Sequence, residues 1–121
     1  MCSILIIDDD AQILKMLRQI LERESYDVTV ASNGKQGLRR YRENPADLVI
    51  TDIIMPEKEG IEIIIELKRD YPDVKIIAIS GGGRINPEDY LDIAKKLGAH
   101  RIFAKPVERK ELLNAVRELL G

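Results

Sequence analysis

Cysteine is all but missing from this chain: Cys2 stands alone among 121 residues. A single thiol closes no disulfide and builds no cysteine metal site, which suits a reducing cytoplasm. No apolar run approaches the length of a membrane span, and no charged-then-apolar leader stands before the first one, so no membrane association is expected. Neither sign of charge dominates, and the net of −2 argues against a nucleic-acid-binding surface. Internal repeats, low-complexity tracts and linkers are missing too. At 45% apolar and 33% charged residues the composition is ordinary for a globular protein, so residues 1–121 are expected to form one domain around a sizeable core. The triplet Gly81-Gly82-Gly83 lacks the Gly-Lys-Ser/Thr ending of a phosphate-binding loop and reads as a flexible connection.

What is present is an alternation of short apolar runs with helical stripes. Ser3 to Asp8 reads as a buried strand, and Ile13, Leu14, Leu17, Ile20 and Leu21 then recur at helical spacing, ending near Ser25. Val28 to Ala31 is a short strand, and Asn33-Gly34 reads as a turn. Gly34 to Glu43 is a helix stopped by Asn44-Pro45. Ala46 to Asp52 is a third strand. Ile61 to Asp70 could be strand on its β-branched residues, but Glu62, Glu66, Lys68 and Arg69 recur at helical spacing and decide for helix. Val74 to Ser80 is a fourth strand. Pro87 tolerates a first helical turn, and Tyr90, Leu91, Ala94 and Leu97 form a stripe ended by Gly98. Arg101 to Ala104 is a fifth strand, and Glu108 to Leu120 a last helix. Five strands alternating with five helices predict an α/β fold: a five-stranded parallel sheet, doubly wound as (βα)5, with helices on both faces. Near-continuous apolar strands agree, since both faces of such a sheet are covered.

Parallel strands gather their ligand groups at the carboxyl edge. Strand one ends in Asp8 and Asp9, strand three in Asp52, strand four in Ser80 and strand five in Lys105. Convergent carboxylates repel unless a pKa rises or a cation binds. Oxygen ligands without histidine or thiol favour Mg²⁺ or Mn²⁺ over zinc. Lys105 adds positive charge for a second anionic oxygen, and Ser80 offers a hydrogen bond. A carboxylate beside a metal and a lysine is equipped to accept a phosphoryl group, a transfer that depends on positioning and charge neutralisation.

Ile6-Ile7-Asp8-Asp9, Thr51-Asp52-Ile53-Ile54-Met55-Pro56 with Gly60, Ile79-Ser80-Gly81 and Ala104-Lys105-Pro106 together resemble the response-regulator receiver (CheY-like) domain, with its flavodoxin-like fold. The resemblance runs from about Ser3 to Leu120. It implies Asp52 as phosphoacceptor, Asp9 as a direct Mg²⁺ ligand, Asp8 as a ligand acting through water, and Ile54 as a backbone-carbonyl ligand. It also implies that Ser80 follows the phosphoryl group, that Lys105 bridges it to the first strand's acids, and that Lys105-Pro106 is often cis. The implied partners are a sensor histidine kinase or phosphotransfer protein and a downstream protein target. The target would meet the face of the fourth predicted helix, fifth strand and last helix, including Tyr90, Lys95, Ile102 and Arg109. With no output region after Gly121, the expectation is a free-standing cytoplasmic receiver.

Three departures from the family pattern stand out. Ile102 takes the place, three residues before Lys105, of an aromatic switch residue. Phe103 is adjacent, but strand alternation sends it to the opposite face. The Ser80–Pro87 loop is longer than usual and glycine-rich. Apolar Ile54 cannot orient an attacking water, so shielding is expected to govern the lifetime of a phosphoryl group. Asp10 reads as a helix N-cap, and His100 as an exposed loop residue without a role in phosphotransfer. Two other functions fit parts of the pattern. A haloacid-dehalogenase-type phosphohydrolase would use Asp8 as nucleophile and Asp10 as acid, although Ala11-Gln12 replaces its usual continuation. A receiver-shaped interaction module that is never phosphorylated would need none of the acid, serine and lysine set.

Overall fold

The computed structural model describes residues 2–53, 59–80, 96 and 98–121, with the backbone alone at Glu59, Gly60 and Ser80. The elements run β1 (Ser3–Ile7), α1 (Ala11–Arg23), β2 (Asp27–Ala31), α2 (Gly34–Glu43), β3 (Leu48–Asp52), α3 (Glu59–Asp70), β4 (Ile76–Ser80), β5 (Arg101–Ala104) and α4 (Arg109–Leu120). All strands are parallel, in the order β2-β1-β3-β4-β5. The chain therefore steps outward from β1 to β2, then reverses across β1 to β3. Such a reversal opens a crevice beyond the carboxyl ends of β1 and β3.

Alternation along each strand divides the interior between the two faces. Ile4, Ile6, Ile50, Ile77 and Ile79 pack with Leu17 and Leu21 of α1 and with Leu112 and Val116 of α4. Leu5, Ile7, Val49, Ile76 and Ala78 pack with Tyr41 of α2 and with Ile64 and Leu67 of α3. Burial of the side chains on both faces supplies the main favourable term in folding. The helical reading of Ile63-Ile64-Ile65 holds: Ile63 and Ile64 are buried, whereas Ile65 points to solvent.

Local chemistry sets the element boundaries. Asp10 caps α1, its Oδ1 accepting the Gln12 N–H at 2.9 Å, as the sequence predicted. Asn33 is more than a turn residue: its Oδ1 accepts the Gln36 N–H at 2.8 Å and caps α2, leaving Gly34 as the first helical residue. Strand β3 starts later than expected, because the Asp47 carboxylate is occupied with the Ser3 N–H at 2.8 Å. Strand β4 also starts late, because the Val74 N–H turns back to the Tyr71 carbonyl at 3.0 Å. At the amino edge, Lys75 Nζ donates to the Leu119 carbonyl at 2.6 Å, fastening the end of α4 where Cys2 and Leu120 line one hollow.

Most of the predicted Pro87–Leu97 helix, including Tyr90 and Lys95, lies outside the described residues, as do the glycine triplet and Ile54. Lys96 is helical, and Gly98 has φ +81°, the left-handed conformation that glycine adopts after a helix. Ile102 packs on the α2–α3 side and Phe103 on the α1–α4 side, so the two occupy opposite faces as expected. No described helix is long and apolar enough to cross a membrane.

Candidate functional site

Asp8 follows β1, and Asp52 ends β3, one strand away. The ladder continues past both positions: the Asp8 N–H donates to the Ala31 carbonyl at 3.1 Å and the Ile53 N–H to the Ile79 carbonyl at 2.9 Å. Both acids are consequently held in the sheet rather than on loose loops, and they are 1% and 3% exposed. Asp9 is exposed, and carboxylate oxygens of Asp8, Asp9 and Asp52 lie within 4.8 Å of one another.

Lys105 reaches this cluster from the end of β5. Its Nζ donates to Asp52 Oδ2 at 2.9 Å and lies 3.0 Å from Asp8 Oδ2. The second contact is an ion pair without hydrogen-bond geometry, so the buried Asp8 Oδ2 has no hydrogen-bond partner among the described residues. Asp8 Oδ1 accepts the Asp10 N–H at 2.8 Å. Burial pushes the Asp8 carboxyl above its usual range, against the Asp10 N–H and the Lys105 ammonium, while the charge on Asp52 adds to the rise. For Lys105, burial would lower the pKa, but Asp52 and Asp8 outweigh it and the net shift is upward. The Lys105-Pro106 peptide is cis.

The carboxylates therefore converge, and Lys105 joins them. Ser80 ends β4 in register with Ala104, beside Lys105, and its side chain, like Ile54, falls outside the described residues. Asp10 is engaged as a cap, away from the role of acid that a dehalogenase-type reading gives it. Sequence reasoning passed over Thr51, fully buried, whose Oγ1 donates to the Asp52 carbonyl at 3.1 Å and steadies that backbone. A lone hydroxyl in an otherwise apolar strand was the available signal. His100 is exposed as expected, but its Nδ1 accepts the Ile76 N–H at 3.3 Å, next to β5.

Among the described residues the donor set fits a hard divalent cation: three converging carboxylates, no histidine or thiol ligand, and a buried oxygen lacking a hydrogen bond.

Comparison with known proteins points the same way. The family model described as the response regulator receiver domain matches residues 4–117. The response regulator receiver protein CpdR of Brucella abortus is 33% identical over 122 residues, covering 99% of this chain and 98% of that protein. The sporulation initiation phosphotransferase F of Bacillus subtilis is 33% identical, covering 98% of this chain and 93% of its own length. A longer relative, the transcriptional regulatory protein GlrR of Escherichia coli, is 32% identical over 97% of this chain, which spans only 26% of that protein. Among solved structures, a response regulator receiver domain protein from Clostridium thermocellum superposes with a TM-score of 0.87 at 34% identity, covering 98% of this chain and 94% of that one. With a family model matched over nearly its whole length and relatives of about the same size one-third identical to it, the chain belongs to the response regulator receiver domain family of two-component signalling.

Proposed function

We propose that this chain works as one cytoplasmic domain that accepts a phosphoryl group on Asp52 from a histidine kinase or phosphotransfer protein. The observation that carries the reading is the contact of Lys105 Nζ with Asp52 at 2.9 Å, inside a cluster of three carboxylates. Asp8, Asp9 and Asp52, with the Ile54 carbonyl, would hold Mg²⁺ or Mn²⁺, which when bound supplies charge neutralisation for phosphoryl oxygens. An Asp52 oxygen attacks the phosphorus of the donor's phosphohistidine. The new P–O bond forms as the P–N bond breaks, and the leaving imidazole nitrogen keeps the electron pair and takes a proton from solvent. Lys105 would follow the charge from the carboxylate to a phosphoryl oxygen, and Ser80 would donate a hydrogen bond to another. Their movement would shift the equilibrium of the segment before β5, β5 itself and α4 toward a form that binds a downstream protein. Because Ile102 stands where an aromatic is usual, that shift would not use an aromatic ring as its moving part.

The test is incubation with acetyl phosphate and Mg²⁺ followed by intact-mass measurement. One added phosphoryl group is expected, labile to hydroxylamine and lost in EDTA or in Asp52→Asn. An adduct that persists in Asp52→Asn would overturn the assignment.

A further inference from the structure

Helix α2 carries Lys35, Arg39, Arg40 and Arg42 against one acid, Glu43, in a chain whose net charge is −2. Arg42 is the cation of this helix that is paired: it reaches Glu66 of α3 at 2.8 Å and Asp70 at 4.0 Å. Lys35, Arg39 and Arg40 are exposed and make no ion pair among the described residues. The arrangement is locally unfavourable in two ways. Lys35 and Arg39 stand one turn apart, where like charges repel. Lys35 also occupies the first turn of α2, the positive end of the helix dipole. Positions that break a local rule with no ion pair among the described residues to offset it are where binding is to be sought.

The surface beside these cations is hollow. A depression of about 440 Å³ is lined by Lys35, Leu38, Arg39, Arg42 and Glu43. A smaller one of about 170 Å³ adjoins it between α2 and α3, sharing Lys35 and Leu38 and reaching Glu62 and Glu66. Leu38 thus forms an apolar floor beneath a basic rim. We infer that the α2 face is a docking surface for an acidic segment of a partner protein, its carboxylates meeting Lys35 and Arg39 and an apolar side chain seated on Leu38. Two unpaired cations suit a short segment carrying one or two carboxylates; the continuous phosphates of a nucleic acid could not avoid Glu43, Glu62 and Glu66 along the same hollows. The surface is separate from Asp52 and does not depend on the phosphoacceptor reading.

The experiment uses fluorescence anisotropy with a labelled helix-forming peptide of about 15 residues, long enough to span the 10 residues of α2, with glutamates on one stripe and leucines on the other. Saturable binding is expected, weakened about tenfold by the Lys35→Glu/Arg39→Glu double variant and by raised salt. Leu38→Ala should weaken it as well, and the leucine-free peptide should bind less. Amide shifts should concentrate between Gly34 and Glu43. The exposed variants should keep the wild-type circular dichroism and still take up phosphoryl on Asp52, which keeps the two readings apart. Unchanged affinity in the double variant, equal binding of a single-stranded oligonucleotide, or charge-dependent dimerisation of the protein in place of peptide binding would each overturn the proposal.

Discussion

Lys105 Nζ stands 2.9 Å from Asp52 Oδ2, although 53 positions separate the two residues in sequence. The same ammonium lies 3.0 Å from Asp8, so one cation keeps two buried carboxylates from facing each other uncompensated.

Removing that cation should destabilise the fold. Lys105→Met is expected to lower stability by about 2 kcal/mol, less than for a fully buried pair because the lysine side chain is 21% exposed. Urea unfolding measures this. Adding Asp8→Asn should return part of the loss, as coupled residues do. An unchanged urea midpoint in the single variant would mean the ion pair contributes nothing.

Asp8→Asn alone should raise stability in EDTA, by about 1 kcal/mol, since it removes a buried charge that has one oxygen without a hydrogen bond. Wild-type protein should gain stability on adding Mg²⁺, by about 2.7 kcal/mol at a hundredfold excess over Kd. That gain should shrink in Asp8→Asn and in Asp9→Asn. Melting curves with and without the cation decide; a Mg²⁺ response equal in all three proteins would remove these acids from the metal site.

The approach of α2 to β1 is close at Gly37, where the Ile7 side chain fills the space a Cβ would take. A Cβ built there would stand 2.8 Å from Ile7 Cγ1 and meet its Cδ1 as well. Gly37→Ala should therefore destabilise by about 1–2 kcal/mol, despite a gain of about 1 kcal/mol in helix propensity. A variant that melts above the wild type would show that Ile7 makes room at no cost.

Partial desolvation of the ring where it meets β4, followed by the nearby Lys68, Lys75 and Arg101 charges, holds His100 below its usual 6.5 although the residue is exposed overall. The fold thus prefers the neutral ring, whose Nδ1 accepts the Ile76 N–H. This contribution is complete above about pH 6.5 and is lost as pH falls through the lowered value. As the chain's one histidine, its proton resonance can be titrated directly. The midpoint should lie below 6.5, and His100→Gln should lose less stability between pH 7 and 5. A midpoint at or above 6.5 would contradict the environment described.

Most of the fold was legible because periodicity records burial. Apolar runs marked strands covered on both faces, and charged residues at helical spacing settled α3 against its own β-branching. Element ends were harder to read. Asp47 and Val74 look like strand residues until their bonds to Ser3 and Tyr71 are known, and Asn33 looks like a turn residue until it is seen to cap α2. At the site, residue types and strand ends sufficed to gather the acids and Lys105. What no pattern could convey was that Lys105 makes its hydrogen bond to Asp52 and leaves Asp8 Oδ2 without one. That difference depends on angles, which side chains acquire only in three dimensions.

Because Cys2 and Leu120 border the same hollow, and Cys2 precedes the start of β1 whereas Asp8 follows its end, reporters can be tethered at either residue without shading the acidic crevice. A thiol-reactive dye on Cys2, or an acceptor attached at position 120, would sit behind the chemistry rather than across its entrance.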